Sequence, residues 1–450
     1  MTQDTFKGHL GSADDSPLLA AGAGIAGVAL AVVLIFPRAS PFMLLLLALV
    51  PAVLAIGAPY RQRALWTDFS RPPMVLVLLF SGYLLLNSLW SDVRLDALGK
   101  ALLFLVVVMA VWLVRRGLPR LPDESLRRLA TSVLTGFTVA LIYLMVEEYS
   151  AHLVKRTVYN LLPFTRPDVK HIQHLEGGVV SDVYLYISNR SIGLLTLALW
   201  PVLLMCARGG LLGTRTRRWV ATAALLALTV ATLARSQHET SEIALALSLV
   251  AAVTAVWWRG LTLALVAIAW VVSTLLVIPL ASHAYETEKL YLNKSIPMSA
   301  RHRIIIWGYT AEQIPKAPLL GIGIESGKRR DARAKHEQPV DHEYPRRTGT
   351  HSHNVYVQTW YELGAVGAVL LCVAGLSILL AIGRLAPAKQ PFALATFVAS
   401  AAMAAFSWGM WQPWFMAAFG VSGVLLMIAA ECARRAEPAD EGRGPRGVSG

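Results

Sequence analysis

The chain has 450 residues, of which 55% are hydrophobic and only 15% charged, with a mean hydropathy of +0.53. Soluble globular domains carry about 25% charged residues, so that class is excluded, and so are disordered and fibrous chains. The formal charge of +13 admits a nucleic-acid partner only if topology does not account for it. The apolar residues gather in blocks of about 18–25, the length that crosses a hydrocarbon core of about 30 Å. This pattern predicts an all-α polytopic membrane protein. Cys206, Cys372 and Cys432 lie inside or at the end of apolar blocks, with no disulfide framework or zinc spacing.

In chain order, twelve transmembrane helices are predicted near 17–36, 41–57, 73–90, 97–114, 129–149, 179–206, 219–234, 241–258, 261–281, 355–383, 391–408 and 412–431. The first follows Asp14 and Asp15 with only Lys7 ahead, so it lacks the basic flank of a cleaved signal peptide and reads as a retained helix. An even count places both termini on one side. One set of connections, from Lys7 to Arg446, holds twenty Lys and Arg residues and the short connections opposite seven, which makes the richer side cytoplasmic. Much of the net charge is therefore topology, and nucleic acid is not an expected partner.

The expected organisation has helices 1–9 over residues 1–281, with a shorter outward loop near 150–178. A large, partly helical outward loop covers 282–354, helices 10–12 span 355–431, and residues 432–450 form a disordered cytoplasmic tail. Loops of that length usually carry function. The loop 282–354 holds six of the eleven histidines, and twelve basic residues against eight acidic ones. It should attract an anionic ligand.

Three stretches carry candidate chemistry. Arg190 lies in the outer half of the block from Val179 to Cys206, where a guanidinium is costly unless it meets water or an anion. It is either an interfacial arginine reaching to lipid phosphate or a clamp for a ligand phosphate, for which its planar fork is suited. Ser299 to Ile314 reads as an outer helix with Ser299 as N-cap and Pro315 past its end. Arg303 and Trp307 share a face of it, and Arg301 points about 200° away from Arg303. The segment Pro318-Leu-Leu-Gly-Ile-Gly323 that follows permits a tight turn.

The third stretch, Thr350-His-Ser-His-Asn-Val, enters the tenth span. His353 at a helix N-terminus should stay neutral near pH 7 and accept a proton, while Gly364 and Gly367 offer a small face for helix packing. A metal held by His351 and His353 is not expected, because no third ligand stands at diagnostic spacing and HExxH is absent.

His353-Asn354, nine residues, then Gly364-x-x-Gly367 resembles the signature of the O-antigen ligases. Arg303-x-x-x-Trp307 and Pro318-x-x-Gly-x-Gly323 are similar to the wider superfamily of O-antigen ligases and polymerases. The resemblance covers residues from about 179 to 380; at Arg235-Ser236 the order departs from the Ser-Arg of relatives, and no role is transferred there. It implies an enzyme of the bacterial inner membrane with both termini cytoplasmic and its active site facing the periplasm. Its partners would be an undecaprenyl-pyrophosphate-linked polysaccharide as donor, a sugar hydroxyl of lipid A-core as acceptor, and membrane lipids. A lipid pyrophosphate is already a good leaving group, so no cofactor, metal or nucleotide is required. His353 is then the general base, and Arg190 and Arg303 are the cations on the pyrophosphate. Arg301, His351, Asn354 and Trp307 would orient donor or acceptor.

Two alternatives remain at this stage. A polymerase would use the same donor with a growing glycan as acceptor, and transfer to protein hydroxyls is a related case. A transporter of lipid-linked glycan should carry ionisable groups at several depths in its spans. The spans read as nearly charge-free, with Lys100 and Arg190 close to ends, which favours chemistry on one face.

Overall fold

The computed structural model describes residues 17–56, 72–175, 178–337 and 348–437. The chain is an all-α polytopic membrane protein. Among the described residues, eight helices are long and apolar enough to cross a membrane, a further pair meets that test as one segment bent by 66°, and three shorter apolar helices accompany them. The chain divides into two compact units, the first made of residues 1–58, 110–242 and 420–450, the second of 59–109 and 243–419.

The first unit contains α1 (Pro17–Ile35), α2 (Ser40–Ile56), α5 (Asp123–Tyr149), α6 (Leu153–Leu161), α7 (Asn189–Arg208) and α8 (Arg215–Arg235). It also holds the end of α4 (Arg94–Gly117) and most of α16 (Pro413–Ala436). Glycines bring α1 and α5 into backbone contact: a Cβ on Gly136 would stand 2.1 Å from the Gly27 carbonyl oxygen. In lipid, where apolar burial gives helices little reason to associate, such close approach is the main source of packing energy. α7 is buried on all sides from Ser191 to Ala207, as an all-round apolar helix must be at the centre of a bundle. The Ser422 hydroxyl on α16 donates to the Leu197 carbonyl at 2.7 Å.

The expected span 179–206 is not a single helix. Its start forms strand β2 (Val180–Val183), paired antiparallel with β1 (Ile172–His174) in the register Ile172 to Val183. Ile172, Val180 and Val183 make a small core with Tyr159 and Ile187, and α7 begins only at Asn189. A short β-branched run pairs as readily as it coils, and apolarity alone does not separate the two. The expectation of nearly charge-free spans is also corrected. Glu147 and Glu148 are fully buried at the end of α5, where the Lys155 backbone N–H donates to Glu147 Oε1 at 3.0 Å. At the other terminus, residues 432–436 continue α16, held by Arg434 and Arg435 on the Glu431 carboxylate. The rest of the expected tail, from 438 on, lies outside the described residues.

The second unit contains α3 (Pro72–Asn87), most of α4 and α9 (Glu239–Trp257), α10 (Arg259–Leu275), α11 (Val277–Ser282), α12 (Met298–Gln313), α13 (Ser326–Glu337), α14 (Val355–Gly383) and α15 (Gln390–Phe406). The bend between α10 and α11 falls just ahead of Pro279, which has no N–H to continue the helical ladder. Its core joins Phe80, Leu84, Ala97, Ala101, Ile324, Leu363 and Trp411.

α14 is broken at Gly364, which sits at φ 65° and ψ −166°. The segment 318–324 lies against the break. Ala365 N–H donates to Pro318 O at 2.9 Å, Ile322 N–H to Tyr361 O at 3.1 Å and Gly323 N–H to Glu362 O at 2.9 Å. The Tyr83 hydroxyl takes the Leu363 carbonyl at 2.6 Å. Every carbonyl freed from Tyr361 to Leu363 is thus paired, the condition on which an interrupted helix survives at membrane depth. A Cβ on Gly364 would lie 2.4 Å from Leu319 O, and one on Gly367 would meet Leu363 of its own helix. Gly364 therefore admits a crossing backbone while Gly367 packs on Leu363, and the two do not form the expected helix-packing face.

Candidate active site

The histidines are placed by three pieces of the second unit: α12, the segment 348–354 and the turn 407–412 between α15 and α16. α12 starts at Met298 behind Pro297, so Ser299 lies in its first turn and is not the N-cap. Trp307 Nε1 donates to the Ser352 carbonyl at 2.7 Å and its ring packs against Phe406 at 6.3 Å between centroids, which clips α12 to the histidine segment. Asn354 is the N-cap of α14: its Oδ1 accepts from the N–H groups of Tyr356 at 2.9 Å and Val357 at 3.1 Å.

His353 precedes that cap in the left-handed region, φ 51°. Its Nδ1 is 2.6 Å from the carbonyl oxygen of Ser407. A carbonyl can only accept, so the proton sits on Nδ1 and the lone pair on Nε2. Burial lowers the pKa of His353, the Arg303 charge adds to this, and the bond to Ser407 opposes it. The main cause favouring the neutral form of His353 is burial, in place of the helix end that the sequence suggested.

The His351 ring lies 4.2 Å from that of His353 between centroids, with Nδ1 3.0 Å from Thr350 Oγ1 and Nε2 buried and unbonded. Burial, His353 and Lys328 hold its pKa down to about 4. Two adjacent uncharged imidazoles, with the Arg303 charge acting on one, can accept a proton beside a cation. Arg303 and Arg301 are both half-buried.

A buried network fixes the turn that holds His353. Gln358 Oε1 accepts from the Met410 N–H at 3.1 Å, Gln358 Nε2 donates to Glu362 Oε2 at 3.2 Å, and Trp411 Nε1 donates to the same oxygen. Gly409 lies over His351, where a Cβ would stand 2.7 Å from the histidine Cβ. These residues escaped the sequence analysis. Gln358 and Glu362, four apart inside an apolar span, were the available signal, since an ionisable residue there points to function.

Residues 201–372 match the family model described as O-antigen ligase. That range contains Arg301, Arg303, Trp307, the 318–323 segment, His351, His353 and Asn354. The match covers 172 of the 450 residues, and over that range the chain is similar to the O-antigen ligase family. A Rickettsia conorii protein provisionally named as a polysaccharide ligase is 28% identical over 137 residues, which cover 29% of this chain and 31% of that protein. The match therefore spans about a third of the relative's length.

Arg190 lies outside the range matched by the ligase family and belongs to the first unit, whereas Arg303, Trp307 and both histidines belong to the second. It occupies the first turn of α7, half-buried. The Ser191 hydroxyl donates to the Ile35 carbonyl at 3.3 Å, which brings the turn after α1 alongside, and the charge of Arg38 on that turn acts on Arg190.

Proposed function

We propose that this chain is a membrane glycosyltransferase of the O-antigen ligase type. It moves a polysaccharide from undecaprenyl pyrophosphate to a sugar hydroxyl of lipid A-core at the periplasmic face of the bacterial inner membrane. The observation that carries this reading is the 2.6 Å contact of His353 Nδ1 with Ser407 O, which assigns the ring proton to Nδ1 and leaves Nε2 as the basic atom. The family match over 201–372 supports the reaction class.

In the proposed step the acceptor hydroxyl oxygen attacks the anomeric carbon as its proton passes to His353 Nε2. The bond from that carbon to the pyrophosphate oxygen breaks, and undecaprenyl pyrophosphate leaves with the electron pair. Arg303 stabilises the charge developing on the phosphate. One displacement inverts the anomeric centre and needs no glycosyl-enzyme intermediate. The leaving group is already activated, so the residues supply orientation, a base and positive charge without metal or nucleotide. His351 is the neighbouring acceptor group. Trp307 offers its ring, Asn354 its amide nitrogen and Arg301 its guanidinium to donor or acceptor.

Deleting the gene in its own bacterium tests the assignment. Loss of polymer from lipid A-core, with polymer accumulating on its lipid carrier, supports ligation. Polymer of unchanged length still attached to lipid A-core contradicts it.

A further inference from the structure

α6 in the first unit has its polarity turned inside out. At about 100° per residue, Leu153, Val154, Val158 and Leu161 fall on one arc and Lys155, Arg156, Tyr159 and Asn160 on the other. The polar arc faces protein. Lys155 Nζ donates to Ser188 Oγ at 2.7 Å, Arg156 Nη1 to Ser181 O at 3.1 Å and Asn160 Nδ2 to Val180 O at 3.0 Å, while Asn160 Oδ1 accepts from Val180 N–H at 2.8 Å. The apolar arc faces outward, with Leu153 50% exposed and Leu161 73%, and it continues into Leu162 at 44% and Phe164 at 84%. Water would penalise such an arrangement, and a nine-residue helix has little intrinsic stability to resist it.

The position of α6 says what covers it. It follows α5, whose exposed Val139, Ile142 and Val146 are the lipid-facing side of a membrane-crossing helix. Between the two helices Ala151 and His152 adopt left-handed φ of 49° and 60°, and His152 N–H closes α5 on Glu147 O at 2.8 Å. The chain therefore leaves the crossing helix in a sharp turn, and the apolar surface continues from α5 to α6. We propose that α6 lies in the plane of the membrane interface, with Leu153, Val154, Val158, Leu161, Leu162 and Phe164 among the acyl chains of the leaflet at the Tyr149 end of α5. The ties from its polar arc to Ser181 and Ser188 then hold the β1–β2 hairpin and the start of α7 at a fixed height against that leaflet.

Nitroxide labels test this in nanodiscs of phosphatidylethanolamine and phosphatidylglycerol. The full chain, with its three buried cysteines changed to alanine, receives Leu161→Cys, Phe164→Cys or, on the exposed end of β1, His174→Cys. Labels at 161 and 164 should relax strongly with oxygen and weakly with a water-soluble nickel chelate, and the label at 174 should show the reverse. Nickel access at 161 and 164 equal to that at 174 overturns the proposal. So does protection from both reagents with spin–spin broadening, which would mean that a second copy covers the face.

Discussion

The Nδ1 of His353 stands 2.6 Å from the carbonyl oxygen of Ser407, 54 residues further along the chain. This contact sets the tautomer of the proposed base and ties it to a turn outside the segment that carries the histidines. His353→Asn separates the two roles, because an asparagine amide N–H can still reach toward Ser407 O but offers no basic nitrogen. The variant should fold normally and lose about 10²–10⁴-fold in turnover, the range for a general base. Equal turnover in variant and wild type would remove His353 from the chemistry.

The acid limb of activity follows from the same environment. The folded pKa of His353 lies below the ordinary 6.5, so its basic form persists below that pH. A pH profile of kcat/KM in nanodiscs should show an acid limb with its midpoint under 6.5, and a midpoint above that value would speak against His353 as the base.

His351 makes a prediction about stability. Its pKa is about 4 in the folded protein against 6.5 ordinarily. Between those values the unfolded chain binds a proton that the folded chain refuses. Stability should therefore fall as pH drops from 6.5 toward 4 and be regained as it rises. Thermal unfolding across that window should show the slope in wild type and a shallower one in His351→Gln.

Gly364→Ala places a Cβ 2.4 Å from Leu319 O at a residue with φ 65°. Left-handed strain and the displaced 318–324 segment should cost about 1–3 kcal/mol, seen as a lower Tm. Gly82→Ala is the control, since a Cβ there meets nothing within 4 Å.

Glu362 is read as a hydrogen-bond acceptor for Trp411 and Gln358. Glu362→Gln keeps an acceptor oxygen and should lower Tm only slightly. Glu362→Leu leaves both donors buried and unpaired, at about 1–3 kcal/mol each, and should release the turn 407–412 and lower activity with it. Equal Tm in the two variants would contradict this reading.

Much of this was legible in the residues themselves. α14 begins and ends where its apolar run does, from Val355 to Gly383, because a membrane helix is defined by length and apolarity alone. Arg303, Trp307, His351 and His353 come together because they lie on one helix and on a short segment that Trp307 clips to it. The rest depended on long-range pairing. Ser407 contributes a backbone carbonyl, which no residue type announces. Gly364 serves a segment more than 40 residues away in sequence, and Gln358 and Glu362 were hidden in an otherwise apolar span. The β1–β2 hairpin was missed because the valines of Val179 to Val183 were read as the start of the apolar block that follows, although Ser181 and Asp182 interrupt them.

The central claim is transfer itself. Purified protein in nanodiscs, given undecaprenyl-pyrophosphate-linked polysaccharide and lipid A-core with chelator and without nucleotide, should yield polysaccharide joined to lipid A-core with inversion at the anomeric carbon, and His353→Asn should yield almost none. Polysaccharide that instead lengthens on its own carrier, or a product of retained configuration, would contradict the account.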